Sequence, residues 1–152
     1  MILALPALTL SQVKAQELVL RKSEFILDVV IGDSAAKRFA IALGKNTGDK
    51  KKKGDCRTPE GKFRIVQIQK SDSWTHDFKD GKGEVAGAYG PWFLRLGKGE
   101  TPMKWTGIGI HGTHDPASIG TLATEGCIRL KNEDLQELRK LVGVGTPVRI
   151  LP

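Results

Sequence analysis

Cysteine is scarce in this chain. Its 152 residues hold two, Cys56 and Cys127, too few for a disulfide framework and set in unlike surroundings. Aromatic residues make up only 6%, and none is interleaved with a basic stripe. With no zinc-finger, RRM or helix-turn-helix pattern either, the sequence offers no nucleic-acid reader. Long apolar runs are absent too. Residues Ile2 to Leu10 are apolar except for Thr9, but the stretch is too short to span a bilayer. No internal repeat or linker divides the chain, so one domain is expected, long enough to bury its own core.

A formal charge of +7 and a pI near 9.5 are present, and they imply an anionic partner. Nucleic acid, an acidic membrane or a cell-wall polymer would all satisfy charge alone. The densest basic run, Lys50 to Lys53, sits among Gly and Asp and reads as a solvated turn. Near the start, the apolar stretch is followed by Val13-Lys14-Ala15, which resembles a secretory signal cleaved before Gln16, without its positive leading region. Residues 1–15 are therefore expected to direct export to the periplasm or cell envelope, and 16–152 to form the working domain.

Beyond residue 16, short β-rich runs alternate with Gly, Asp and Lys. Phe25 to Ile31 ends at Gly32-Asp33, a turn signal, and Phe39 to Leu43 is its expected hairpin partner. Further strands are expected around Phe63 to Ile68, Trp92 to Leu96, Gly107 to Ile110 and Val148 to Ile150. The polar, Gly-rich stretch 69–91 carries Trp74, Phe78 and Tyr89, which fits either a lid or substrate wall, or a solvent loop pinned by its aromatics. One helix is expected from Asn132. That residue is a good N-cap, Glu133 and Asp134 suit the first turn, Leu135, Leu138, Leu141 and Val142 share a face, and Gly143 is placed to stop it. The sum is a mostly β domain with one principal helix.

Chemistry concentrates in Ile110-His111-Gly112-Thr113-His114-Asp115 and Thr124-Glu125-Gly126-Cys127-Ile128-Arg129. A thiol beside an imidazole becomes a strong nucleophile. His111 ends one strand-like run and Cys127 begins another, so neighbouring strands would bring them together. Gly126 permits a tight turn and leaves backbone N–H groups open to a developing oxyanion. Taken alone, a single Cys is more often a core residue and a single His a structural one. Cys56 lacks such a context and reads as a free, non-catalytic thiol, and His76 as a loop residue. Gly107 to Gly112 matches G-x-G-x-x-G, but the Thr-His-Asp-Pro that follows cannot open a dinucleotide-binding helix. His111, His114, Asp115 and Cys127 lack zinc-site pairings, and a metal there would consume the nucleophile.

The combined string resembles the L,D-transpeptidase catalytic domain (YkuD-like, ErfK/YbiS-like). A His-Gly-Thr element precedes Ser/Thr-x-Gly-Cys-hydrophobic-Arg, here with 16 positions from His111 to Cys127. Thr58-Pro59-Glu60-Gly61-Lys62-Phe63, Tyr89-Gly90-Pro91-Trp92, the 132–141 helix and Gly145-Thr146-Pro147-Val148 extend the likeness over roughly residues 17–152. The resemblance implies a β-sandwich fold and a thioester on Cys127, with His111 as base, the Gly112 carbonyl orienting its ring and backbone at Gly126 and Cys127 holding the oxyanion. It also implies substrate contacts at Arg129, Thr113, Thr124, His114 and Trp92, peptidoglycan stem peptides as partners, a monomer, acylation by carbapenems, and neither metal nor organic cofactor. The same site could serve an L,D-carboxypeptidase or amidase, and a degenerate one a peptidoglycan-binding module. Glu125 stands where many members carry His, and repulsion of an anionic group is expected there.

Overall fold

Alternation of apolar and polar residues builds most of the structure. In the computed structural model, which describes residues 14–98 and 104–152, Phe63 and Ile65 of β5 (Gly61–Lys70) are buried while Lys62 and Arg64, alternating with them, face outward. In β12 (Pro147–Leu151), Val148 and Ile150 are buried and Arg149 is not. Such period-two strands expose one face and bury the other. Eight strands form one mixed sheet. The other members are β1 (Glu17–Arg21), β2 (Ile26–Ile31), β3 (Ser34–Ala40), β8 (Trp92–Lys98), β9 (Gly109–His111) and β11 (Ile128–Arg129). Their order is β11-β9-β8-β5-β12-β1-β2-β3.

The two edges of that sheet meet. Two residues past β3, Ala42 exchanges backbone hydrogen bonds of 2.8 and 3.0 Å with Arg129 of β11, at the opposite edge. The chain then forms β4 (Leu43–Gly44), which pairs with β10 (Leu122–Thr124). This closure covers backbone that would otherwise stand open. Inside lie Leu18, Leu20, Leu27, Ile41, Ile65, Leu94, Ile110, Ile128 and Leu130, all fully buried. Each such side chain contributes about 1.5–3 kcal/mol. Helix α1 (Asn132–Leu141) adds Leu135 and Leu138 to this core.

The hairpin partner of β2 is Ser34–Ala40 rather than Phe39–Leu43. Only Phe39 of that strand is buried, so its small and charged residues carry no apolar alternation to read. The helix has the expected span but not the expected caps. Extended Lys131 precedes it, and the Asn132 Oδ1 instead accepts the Thr113 N–H at 2.8 Å. The helix ends where Val142 turns extended, with no left-handed glycine at 143. Of the expected export segment, residues 1–13 lie outside the described residues. Ala15 donates its N–H to the Leu141 carbonyl. Among the described residues, no helix is long and apolar enough to cross a membrane.

Candidate active site

Parallel pairing of β9 with β11 sets Ile128 beside Ile110 and Arg129 beside His111. Cys127, one residue before β11, thus falls level with Gly109. Alternation then places Cys127, Arg129, Gly109 and His111 on one face. The missing side chain at Gly109 is needed, because a Cβ there would lie 2.4 Å from the Phe93 ring. That ring stacks on His111 at 5.6 Å and an interplanar angle of 9°. His111 is 4% exposed, and its Nδ1 donates to the Gly112 carbonyl at 2.6 Å. With Nδ1 so engaged, Nε2 is the nitrogen left to accept a proton.

Burial pushes the His111 imidazole down to about 4, and the Arg129 guanidinium works in the same direction; the Gly112 carbonyl offsets part of the effect. Cys127 keeps part of its surface open, but desolvation still pushes its thiol up to about 11, with the Gly109 amide and Arg95 pulling the other way. Its Sγ donates to the Gly107 carbonyl at 3.3 Å. Between these two values the resting pair is neutral thiol and neutral imidazole, poised for proton transfer during attack rather than before it. Alkylation by iodoacetamide, which consumes thiolate, should therefore climb about tenfold per pH unit from about pH 6 to 10. A plateau near neutrality would mark a preformed thiolate–imidazolium pair and overturn this assignment.

The turn before Cys127 is built around Thr124. Its Oγ1 donates to the Cys127 carbonyl at 2.7 Å and accepts the Gly126 N–H at 3.1 Å. The Gly126 amide is thereby occupied, and the N–H left for an oxyanion is that of Cys127. Gly126 serves through its backbone instead. At φ +133° it adopts a conformation that favours glycine, and a Cβ would sit 3.0 Å from the Arg57 carbonyl. That carbonyl belongs to the 45–60 loop, clamped by Lys22. The Lys22 ammonium donates to the Gly48 and Thr58 carbonyls, each at 2.7 Å, and pairs with Glu60 at 2.9 Å.

Around the strand pair opens a cavity of about 790 Å³. Its lining includes His111, Thr124, Cys127 and Arg129. Arg129 is 5% exposed and donates from Nη1 to Ser118 Oγ at 2.9 Å, while its Nε has no acceptor among the described residues. The 69–91 stretch forms one wall. It folds as a hairpin, β6 (Thr75–Asp77) with β7 (Glu84–Ala86), and Trp74, His76, Phe78 and Tyr89 face the cavity. Tyr89 meets the His111 ring edge-on at 5.1 Å.

Other expectations fall outside this lining. Trp92 lies against α1, where its Nε1 donates to Gln136 and Arg139 covers its face. Thr113 is buried in the turn after His111, its Oγ1 accepting the Asp115 N–H. Exposed His114 packs on Phe78 of the hairpin at 5.4 Å. Conversely, His76, Cys56, Lys50 and Lys53 all reach the cavity. Lys50, read as solvated, is buried and pairs with Asp55 at 2.8 Å. Burial alone would raise the Asp55 carboxyl, but Lys50 and the Lys51, Lys52 and Arg57 amides outweigh it and hold the group well below the usual carboxylate range. Local composition could not reveal this, since the pairing depends on how the loop folds back.

A family model for the L,D-transpeptidase catalytic domain, YkuD, matches residues 15–150. A Bacillus licheniformis protein named as the L,D-transpeptidase YkuD is 34% identical over 120 residues, covering 79% of this chain and 56% of its own. Its Bacillus subtilis namesake is 32% identical over 124 residues, covering 82% and 58%. The chain thus spans somewhat over half the length of these curated relatives. The NMR structure of the catalytic domain from an E. faecium L,D-transpeptidase shares the fold with a TM-score of 0.63 at 21% identity, over 91% of this chain and 98% of that one. The family match runs through β9, β11 and Cys127 just before β11, and the chain belongs to the L,D-transpeptidase catalytic-domain family.

Proposed function

We propose that this domain is a cysteine-dependent acyltransferase that works on peptidoglycan tetrapeptide stems outside the cytoplasmic membrane. Cys127 Sγ attacks the carbonyl of the diamino acid at stem position three. His111 Nε2 takes the thiol proton and passes it to the departing terminal D-alanine, leaving a thioester. The Cys127 N–H faces the developing oxyanion, and the Arg129 guanidinium draws a substrate carboxylate. An amine from a neighbouring stem then takes the acyl group, giving a 3→3 cross-link. A carbapenem, whose strained carbonyl suits the same nucleophile, would acylate Cys127 as well. The observation that carries this reading is the β9–β11 register, which sets Cys127 and His111 on one face with Nδ1 already committed to Gly112.

Incubation with disaccharide-tetrapeptide, followed by mass spectrometry, tests it. A cross-linked dimer with release of D-alanine is the expected product, blocked by iodoacetamide and untouched by EDTA. Tripeptide alone would make the domain a carboxypeptidase. Bound but unchanged substrate would make it a binding module, and loss of turnover in EDTA would redirect the mechanism to a metal.

A further inference from the structure

The cavity is lined by Lys50, Lys53, Arg95 and Arg129, and among the described residues that line it Glu125 is the only carboxylate. It is not a loose side chain. Glu125 Oε2 lies 3.1 Å from His76 Nε2, and His76 Nδ1 lies 3.0 Å from the Tyr89 hydroxyl. A carboxylate can only accept, so Nε2 carries a hydrogen, and in the neutral ring Nδ1 accepts from Tyr89. Burial, with Cys127 and Glu125 nearby, raises the Tyr89 phenol and keeps it a donor. Thus a directed chain runs from Tyr89 through His76 to one oxygen of Glu125. The other oxygen has no partner among the described residues, on a side chain 49% exposed.

We propose that Glu125, steadied by His76 and Tyr89, is the seat for the ammonium group of the acyl acceptor, a primary amine that arrives protonated. This rests on the acyl-transfer reading above. The reaction brings two ligands of opposite sign to one cleft. The donor's leaving group carries a carboxylate and suits the basic residues, whereas the acceptor carries a cation at neutral pH. Glu125 sits two residues before Cys127, across the Gly126 turn, and both line the same cavity, so an amine held there shares the cleft with the thioester. Seated, the ammonium yields one proton to water. The nitrogen lone pair then forms the C–N bond as the C–S bond breaks toward Cys127, and the second amine proton passes through His111 to the departing sulfur. One hydrogen bond to a half-exposed carboxylate holds a hairpin only weakly, so fastening the β6–β7 wall is a minor part of what this chain of bonds does.

The test uses the full chain with disaccharide-tetrapeptide as donor and two acceptors, Nα-acetyl-lysine amide, which is cationic, and hydroxylamine, which is neutral at pH 7. Total D-alanine release and the ratio of aminolysis to hydrolysis are measured for wild type, E125Q and H76N. In E125Q the ratio for the lysine acceptor should fall about tenfold, the scale of one charge-assisted hydrogen bond, with the ratio for hydroxylamine changing less than about twofold. H76N, which leaves the carboxylate unsteadied, should show a smaller loss of the same selectivity. Parallel changes for both acceptors, or none, would overturn the seat while leaving the acyl-enzyme standing. Failure of the wild type to release D-alanine would overturn the acyl-transfer reading and the seat with it.

Discussion

Alanine at Cys127 should lower D-alanine release by roughly four orders of magnitude or more and leave the fold in place, because Cys127 is the thiol that the β9–β11 register sets on one face with His111. The side chain is only half-buried, and its thiol contact with the Gly107 carbonyl at 3.3 Å is weak, so its loss should change stability by less than about 1 kcal/mol. Serine should not restore the rate. His111, held down to about 4, is a weak base, and desolvation already pushes the far more acidic thiol up to about 11. An alcohol in the same place would give up its proton much less readily. Intact-protein mass spectrometry with a carbapenem supplies the independent readout, with a stable adduct on wild type and none on either variant. Cys56 lines the same cavity and is the internal control. An adduct surviving in Cys127→Ala would move the nucleophile there.

Much of this site was legible before any coordinate, because its chemistry is local. His111-Gly112 and Gly126-Cys127 each carry their own turn and strand signals, and the helix from Asn132 announces itself through Leu135 and Leu138. What stayed hidden depends on distant segments. β3 has one buried residue, so its pairing with β2 leaves no apolar signature. Lys50 looks solvated in sequence and is buried because Asp55 folds back onto it. His76 reaches Glu125 only because a hairpin, built from a polar stretch, lines the same cavity as Cys127. Asn132 misled for a related reason. Its residue type suits a cap, but an N–H donor from the turn after His111 claims its oxygen. The family resemblance implies a substrate contact at Trp92, but packing on α1 sets its ring against Gln136 and Arg139, outside the cleft lining.

That misread asparagine leads to the second large effect. Gly90, Gly112 and Asn132 interlock beside the His111 imidazole. A Cβ at Gly112 would lie 2.2 Å from Asn132 Oδ1, 3.0 Å from the Gly90 Cα and 3.1 Å from the Pro91 ring. Gly112→Ala must therefore push the backbone whose carbonyl orients His111, at a cost of about 1–3 kcal/mol in stability. Displacing that carbonyl by even about 1 Å should lower the acylation rate by about a hundredfold. Asn132→Ala removes the acceptor of the Thr113 N–H and should cost about 1–3 kcal/mol, with a smaller loss of rate. The two changes should not add. Removing the Asn132 oxygen relieves the tightest clash of the new methyl, so the double variant should be more stable than the sum of the singles, by about 1 kcal/mol. Thermal unfolding of the four proteins measures the coupling, and single-turnover acylation measures its effect on the base. Strict additivity in both would mean that Asn132 holds the helix entry alone and plays no part in setting the His111 ring.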